Sequence, residues 1–192
     1  GKAELRKAEF RPLIRQIKKA TDAFIGSRDW QAYGLLGFSI SLCQLTSTLY
    51  VIKRLKKKFS KVMIVVGGAL IPGIAAPDYL NAFPEIDVVV YGEGEMPLYK
   101  IIQKLKHTSP ELDKSTMAGI FTRHTDRTQP ARAAFAQLKG LNKLPVPDYD
   151  DYFNLLQTFK PHKRFFATLP IETSRGCWWK RTVGSAKVSG CA

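Results

Sequence analysis

Apolar positions change period several times along this chain, and those changes mark out its elements. Between residues 3 and 24, Leu5, Leu13, Ile14, Ile17 and Phe24 recur at helical spacing and predict an N-terminal helix. From Tyr33 the pattern alternates between continuous apolar runs and amphipathic stretches. It predicts a strand over 35–42, a helix over 45–58, a strand over 62–66 and a short helix near 75–83. A strand over 86–91 and a helix over 96–106 follow. Continuous Val, Ile and Leu runs predict strands buried on both faces, as in a parallel sheet covered by helices. The expected architecture is α/β, with right-handed crossovers.

After His107 the pattern weakens. Gly119–Arg123 predicts an edge strand, and Thr125–Gln129 is polar enough for a turn. Pro145 and Pro147 make Leu144–Tyr152 an extended segment, so residues 125–164 are expected to be a linker. Phe165–Ile171 predicts a further strand. Lys180–Ala192 is small, basic and patternless, and is expected to be a disordered tail unrelated to the rest.

Composition narrows the class. The chain has 192 residues, 45% hydrophobic and 24% charged, enough for one ordinary domain with an extension. No apolar run is long enough to span a bilayer, and no secretory core follows Lys2 and Arg6, which predicts a cytoplasmic protein without a membrane partner. Three cysteines, Cys43, Cys177 and Cys191, are too few for a disulfide framework. Cys43, next to an apolar strand, is expected to be a small buried side chain.

The net charge of +14 raises nucleic acid as a partner. Its distribution argues against that. Lys53, Arg54, Lys56, Lys57, Lys58 and Lys61 lie on the helix whose apolar stripe is Leu45, Leu49, Ile52, Leu55 and Phe59, so they must point outward. No nucleic-acid-binding motif accompanies them. An acidic peptide or protein suits the same surface.

Candidate chemistry gathers where the strands end, since open parallel sheets bind ligands beyond the carboxyl ends of their strands. Ser39 and Ser41 end the first run, followed by Gln44. Gly67 and Gly68 end the second and remove two side chains where a bulky ligand would approach the backbone. Gly92, Glu93, Gly94 and Glu95 end the third at a helix start, with two carboxylates able to accept hydrogen bonds. The spacing around Gly67 and Gly68 is not a dinucleotide fingerprint, and Pro72 interrupts the helix that one requires. His107, His124 and His162 show no ligand spacing, and Asp148, Asp150 and Asp151 beside two prolines predict turn residues.

Taken together, Gly37-Phe38-Ser39-Ile40-Ser41 with Gln44, Val66-Gly67-Gly68-Ala69, Phe83-Pro84-Glu85-Ile86-Asp87 running into Tyr91-Gly92-Glu93-Gly94-Glu95, Leu144-Pro145-Val146-Pro147-Asp148-Tyr149 and Glu172-Thr173-Ser174-Arg175-Gly176-Cys177-Trp178-Trp179 resemble the cobalamin-binding radical S-adenosylmethionine proteins. The branch that matures ribosomally made peptides is the most similar. The resemblance implies a partial Rossmann-like, flavodoxin-like sheet of the cobalamin-binding type over 30–124, after an N-terminal helix in 1–29. It implies the start of a radical domain over 165–179. Cobalamin contacts then fall to Ser39, Ser41, Gln44, Gly67, Gly68, Gly92, Glu93, Gly94 and Glu95. Cys177 corresponds to the first of three cysteines holding a 4Fe–4S cluster that binds S-adenosylmethionine.

Two earlier βα units of that family, its cobalt-ligating D-x-H-x-x-G loop, the other two cluster cysteines and the radical barrel have no counterpart here. Ser41 replaces the leucine of the family's S-x-L element. The resemblance therefore implies a fragment of an enzyme that modifies a precursor peptide, methylation being one such modification, and no radical chemistry by this chain alone. The alternative expectation is a non-catalytic module whose basic helices hold an acidic peptide or protein.

Overall fold

A computed structural model describes residues 10–71, 73–106, 118–125, 138, 140–158, 167–172, 175, 180–183 and 186–189. The chain divides into two compact units, Gly1–Gln137 and Leu138–Ala192.

In the first unit the expected alternation is present. Helix α1 (Phe10–Gly26) leads through a short turn at Trp30–Ala32 into β1 (Leu35–Ser39). Helix α2 (Leu45–Lys58), β2 (Met63–Gly67), α3 (Ala76–Ala82), β3 (Val88–Val90), α4 (Glu95–Lys106) and β4 (Ile120–Thr122) follow. The four strands form one sheet in the order β1-β2-β3-β4. β1, β2 and β3 are parallel, with Leu35 opposite Met63 and Val65 opposite Val88. β4 closes one side antiparallel, Val89 facing Phe121. This is an open, mostly parallel α/β sheet compatible with a Rossmann-like fold.

Side chains alternate across the sheet as strand geometry requires. On one face, Ile64, Val66, Val89 and Phe121 pack with Ile52 of α2 and with Ala76 and Leu80 of α3. On the other, Val65, Val88, Val90 and Ile120 pack with Ile101 of α4. Placing α2 and α3 on one face is what two right-handed crossovers advancing in one direction demand. α1 joins the α2 side, where Ile25 is buried with Leu55, Phe59 and Val62. Lys53, Arg54, Lys57 and Lys58 of α2 project outward as expected, whereas Lys56 is largely covered and turns toward Asp87.

Two polar clamps have no precedent in the apolar pattern. Asp87, entering β3, accepts hydrogen bonds from the Ile64 amide at 2.7 Å and pairs with Lys56 of α2 at 2.7 Å. Arg123, just past β4, donates to the carbonyls of Leu80, Pro84 and Ile86 at 2.5, 2.7 and 2.7 Å. It thereby satisfies carbonyls at and beyond the end of α3, which otherwise lack intrahelical partners.

The strand expected to reach residue 42 ends at Ser39, because residues 42–44 turn into α2. Cys43 lies on that turn and is exposed, not buried.

The second unit departs further from expectation. Leu144 is extended, as the following Pro145 requires, and residues 145–149 form neither helix nor strand, but Asp150–Gln157 forms helix α5. Asp148 accepts from the Asp150 amide at 2.9 Å, and Asp150 and Asp151 occupy the first helical turn, where carboxylates suit the dipole. The aspartates read as turn residues are thus a helix-start signal. Ala167–Ile171 forms no strand; Tyr149 donates from its hydroxyl to the Pro170 carbonyl at 2.8 Å. In the tail expected to be disordered, β5 (Lys180–Val183) and β6 (Ala186–Ser189) pair antiparallel. Gly184-Ser185 between two short runs containing valine is a hairpin pattern that the basic composition obscured.

Replacing Arg123 with Ala should cost about 2–3 kcal/mol of unfolding free energy, since the partly buried carbonyls it serves lose a charged donor. Urea denaturation followed by circular dichroism measures this, with Arg123→Lys recovering only part of the loss.

Candidate functional site at the carboxyl edge of the sheet

Because β1, β2 and β3 run in parallel, the loops that leave their carboxyl ends lie along one edge. The strand ends, these loops and the helix starts that follow them hold Ser39, Ser41 and Gln44, then Gly67 and Gly68, then Gly92, Glu93, Gly94 and Glu95. Topology alone places on one edge the nine residues singled out from sequence.

In the first loop, Ser39 is exposed at the end of β1. Ser41 and Gln44 are committed to each other: the Ser41 amide and hydroxyl donate to Gln44 Oε1 at 3.1 and 3.0 Å. The Gln44 amide in turn donates to the Ser41 carbonyl at 2.8 Å, and the Gln44 carbonyl accepts from Thr48 at 2.8 Å to begin α2. These two side chains set the shape of the loop. Leu42 at its crest is 86% exposed, an apolar side chain presented beside the polar ones.

The second loop folds back onto the first. The Ile40 amide donates to the Gly67 carbonyl at 2.7 Å, and the Leu70 amide to the Ile40 carbonyl at 3.2 Å. Gly68 has φ +108°, and a Cβ there would lie 2.5 Å from the Ile40 carbonyl oxygen and 2.6 Å from its nitrogen. The space beside Gly68 is therefore filled by the protein's own backbone. Its glycine is required by the fold, whereas the sequence pattern suggested room for a ligand. A Cβ on Gly67 would make only ordinary contact with Val90. Farther along, the Tyr91 ring lies against Gly73, where a Cβ would meet the ring at 2.4 Å.

The third loop turns at Gly92 with φ +92°, and the Tyr91 amide donates to the Gly119 carbonyl at 2.8 Å. The Gly94 carbonyl accepts from the Leu98 amide at 2.9 Å, which starts α4. Nothing lies within 4 Å of a Cβ built on Gly94, so that glycine borders open space. Glu93 and Glu95 flank it, both half-buried.

The charge along this edge runs opposite to that of the chain. The segments 39–44, 67–71 and 91–95 contain no lysine or arginine, only Glu93 and Glu95, in a protein of net charge +14. Carboxylates at a helix start offset the positive end of its dipole. The edge thus suits a ligand rich in N–H donors better than a bare phosphate. Cations gather elsewhere, notably in a cleft of about 390 Å³ lined by Asp22, Ile25, Gly26, Arg54, Lys57 and Lys58. There Arg54 grips Asp22 through two 2.7 Å hydrogen bonds, which hold its guanidinium pKa above the ordinary value.

Cys177 lies outside the described residues. Among the described residues, no group of His, Cys, Asp and Glu is placed to hold a metal ion. Nor is any helix among them long and apolar enough to cross a membrane. No protein-family model matches the chain, and no curated protein matches it.

The glycines make separable predictions. Gly68→Ala should destabilise the protein by at least about 2 kcal/mol, through positive φ and collision with Ile40. Gly94→Ala should stay within about 0.5 kcal/mol of the parent. Paired denaturation curves measure both.

Proposed function

We propose that the first unit is the cobalamin-binding portion of a radical S-adenosylmethionine enzyme that modifies a peptide. One observation supports this reading above the others: three parallel strands bring their loops to one edge that is glycine-lined, hydroxyl-bearing and acidic. The primary amides around a corrin ring are N–H donors that Glu93, Glu95 and the exposed loop carbonyls can accept. The open space beside Gly94 and the exposed Leu42 suit the broad, partly apolar face of such a ring.

The residues present fit the group, with roles redistributed. Ser39, Gly67, Gly92, Glu93, Gly94 and Glu95 border it directly in this proposal. Ser41, Gln44 and Gly68 act one step back, by holding the two loops against each other. Bound cobalamin supplies a cobalt centre able to carry a methyl group. The cluster and S-adenosylmethionine belong to the rest of such an enzyme, toward which this chain offers Cys177.

Hydroxocobalamin titration followed by gel filtration and absorbance tests the proposal. Saturable retention is expected, weakened about tenfold or more by Gly94→Phe, which fills the open space without entering the core. Replacing Gly68 would not serve here, since a Cβ there collides with Ile40 and unfolding would mimic lost binding. A folded protein that retains no cobalamin, or retention indifferent to Gly94→Phe, would overturn the reading.

A further inference from the structure

A ligand group that penetrates an open sheet from its carboxyl edge needs a gap between neighbouring strand-end loops. Between β1, β2 and β3 both gaps are filled. The first is closed by backbone: Ile40 donates to Gly67, Leu70 to Ile40 and Ile71 to Gly68, at 2.7, 3.2 and 3.2 Å. Ile40 and Ile71 are themselves buried, and the Ile40 carbonyl leaves no room for a Cβ on Gly68. The second gap is closed by a side chain. The Tyr91 ring lies against Gly73 and packs on the core that holds Ile40 and Ile71. What stays open lies over the edge and not within it: the space beside Gly94, and the exposed Ser39 and Leu42.

Charge points the same way. Of the 30 lysines and arginines, none falls in residues 29–52 or 62–99, which supply all three parallel strands and their loops. Arg28 precedes β1 and Arg123 follows the antiparallel β4, so both belong to the opposite edge. On the helices that start at the carboxyl edge, the first cations are Lys53, about 12 Å along α2, and Lys100, about 7.5 Å along α4. Those of α1 stand a helix spacing of about 10 Å beyond α2. The start of α2 offers an anion about half a positive charge, whereas Glu93 and Glu95 are two whole carboxylates.

The two parts of a cobalamin have opposite needs. The corrin ring carries amide side chains that donate N–H groups. The nucleotide tail carries a phosphodiester, an anion that calls for cations and, if it is to be taken up, for a slot. Resting on the cofactor reading above, we infer that this edge recognises the corrin ring and leaves the nucleotide tail in solvent. Its ligand class is therefore corrinoids whether or not they carry a tail. Glu93 and the exposed loop carbonyls accept from the ring's amides, while Leu42 and the space beside Gly94 meet its apolar parts. Ile40 and Tyr91 keep the tail out by filling the two gaps.

The test titrates the full chain with hydroxocobalamin and with aquacobinamide, which has the same ring and no nucleotide tail, and reads retention by gel filtration and absorbance. A tail seated on charge-assisted hydrogen bonds would add about tenfold or more in affinity. Aquacobinamide is expected to bind more tightly than hydroxocobalamin, or within about threefold of it. The detached tail, α-ribazole phosphate, should displace neither when in large excess. Gly94→Phe should weaken both corrinoids by the same factor. Hydroxocobalamin bound more than about threefold tighter, displacement by α-ribazole phosphate, or a Gly94→Phe loss confined to hydroxocobalamin would each overturn the inference and leave the cofactor reading standing. Retention of neither corrinoid by a folded protein would overturn that reading, and the inference with it.

Discussion

The parallel pairing of β2 with both neighbours is the constraint on which the rest depends. Val65 and Val66 face β1 residues on one side and β3 residues on the other, and their side chains enter opposite cores. Only with β1 and β3 both in place can the buried backbone of β2 be satisfied. That arrangement dictates which loops share an edge. It also requires crossovers long enough to hold α2 and α3, which then cover one face. The close approach of Gly68 to Ile40 follows from it: two adjacent parallel strands end together, and their exiting loops compete for one space.

Charge is segregated on this scaffold. Cations occupy the outward side of α2 and the polar side of α1, whereas Glu93 and Glu95 mark the carboxyl edge. Two surfaces of opposite preference result. One, at the strand ends, is suited to a donor-rich ligand, and the other, on α1 and α2, to acidic groups. The basic cleft beside Arg54 is partly neutralised by Asp22, whose carboxylate ties α1 to α2.

Much of the first unit was legible because its signals are periodic. The stripe Leu45, Leu49, Ile52, Leu55 and the run from Met63 to Val66 each specify an element, and α2 occupies the residues expected of it. The edge strand at Ile120–Thr122 was legible from its apolar run before a polar turn, though its antiparallel direction was not. Long-range polar contacts were not. Nothing local marks Arg123 as a partner of carbonyls some forty positions earlier, nor Asp87 as a partner of Ile64 and Lys56. Helix α5 was hidden by the two prolines before it, which restrict the preceding backbone and not the helix that starts after Asp148. The strand-end loops of the candidate site were legible as a set. The division of labour within it was not, because a glycine needed by a neighbouring backbone and one that borders open space look alike in sequence. Gly68 and Gly94 are that pair.

Amide mapping by nuclear magnetic resonance tests the central claim most directly. Hydroxocobalamin added to isotope-labelled protein should shift the amides of Ser39–Gln44, Gly67–Gly68 and Gly92–Glu95 together, with one saturation curve, and leave the outward side of α2 unmoved. Shifts centred on α1 and the Arg54 cleft, or none at all in a protein with well-dispersed signals, would contradict a cofactor site at the carboxyl edge of the sheet.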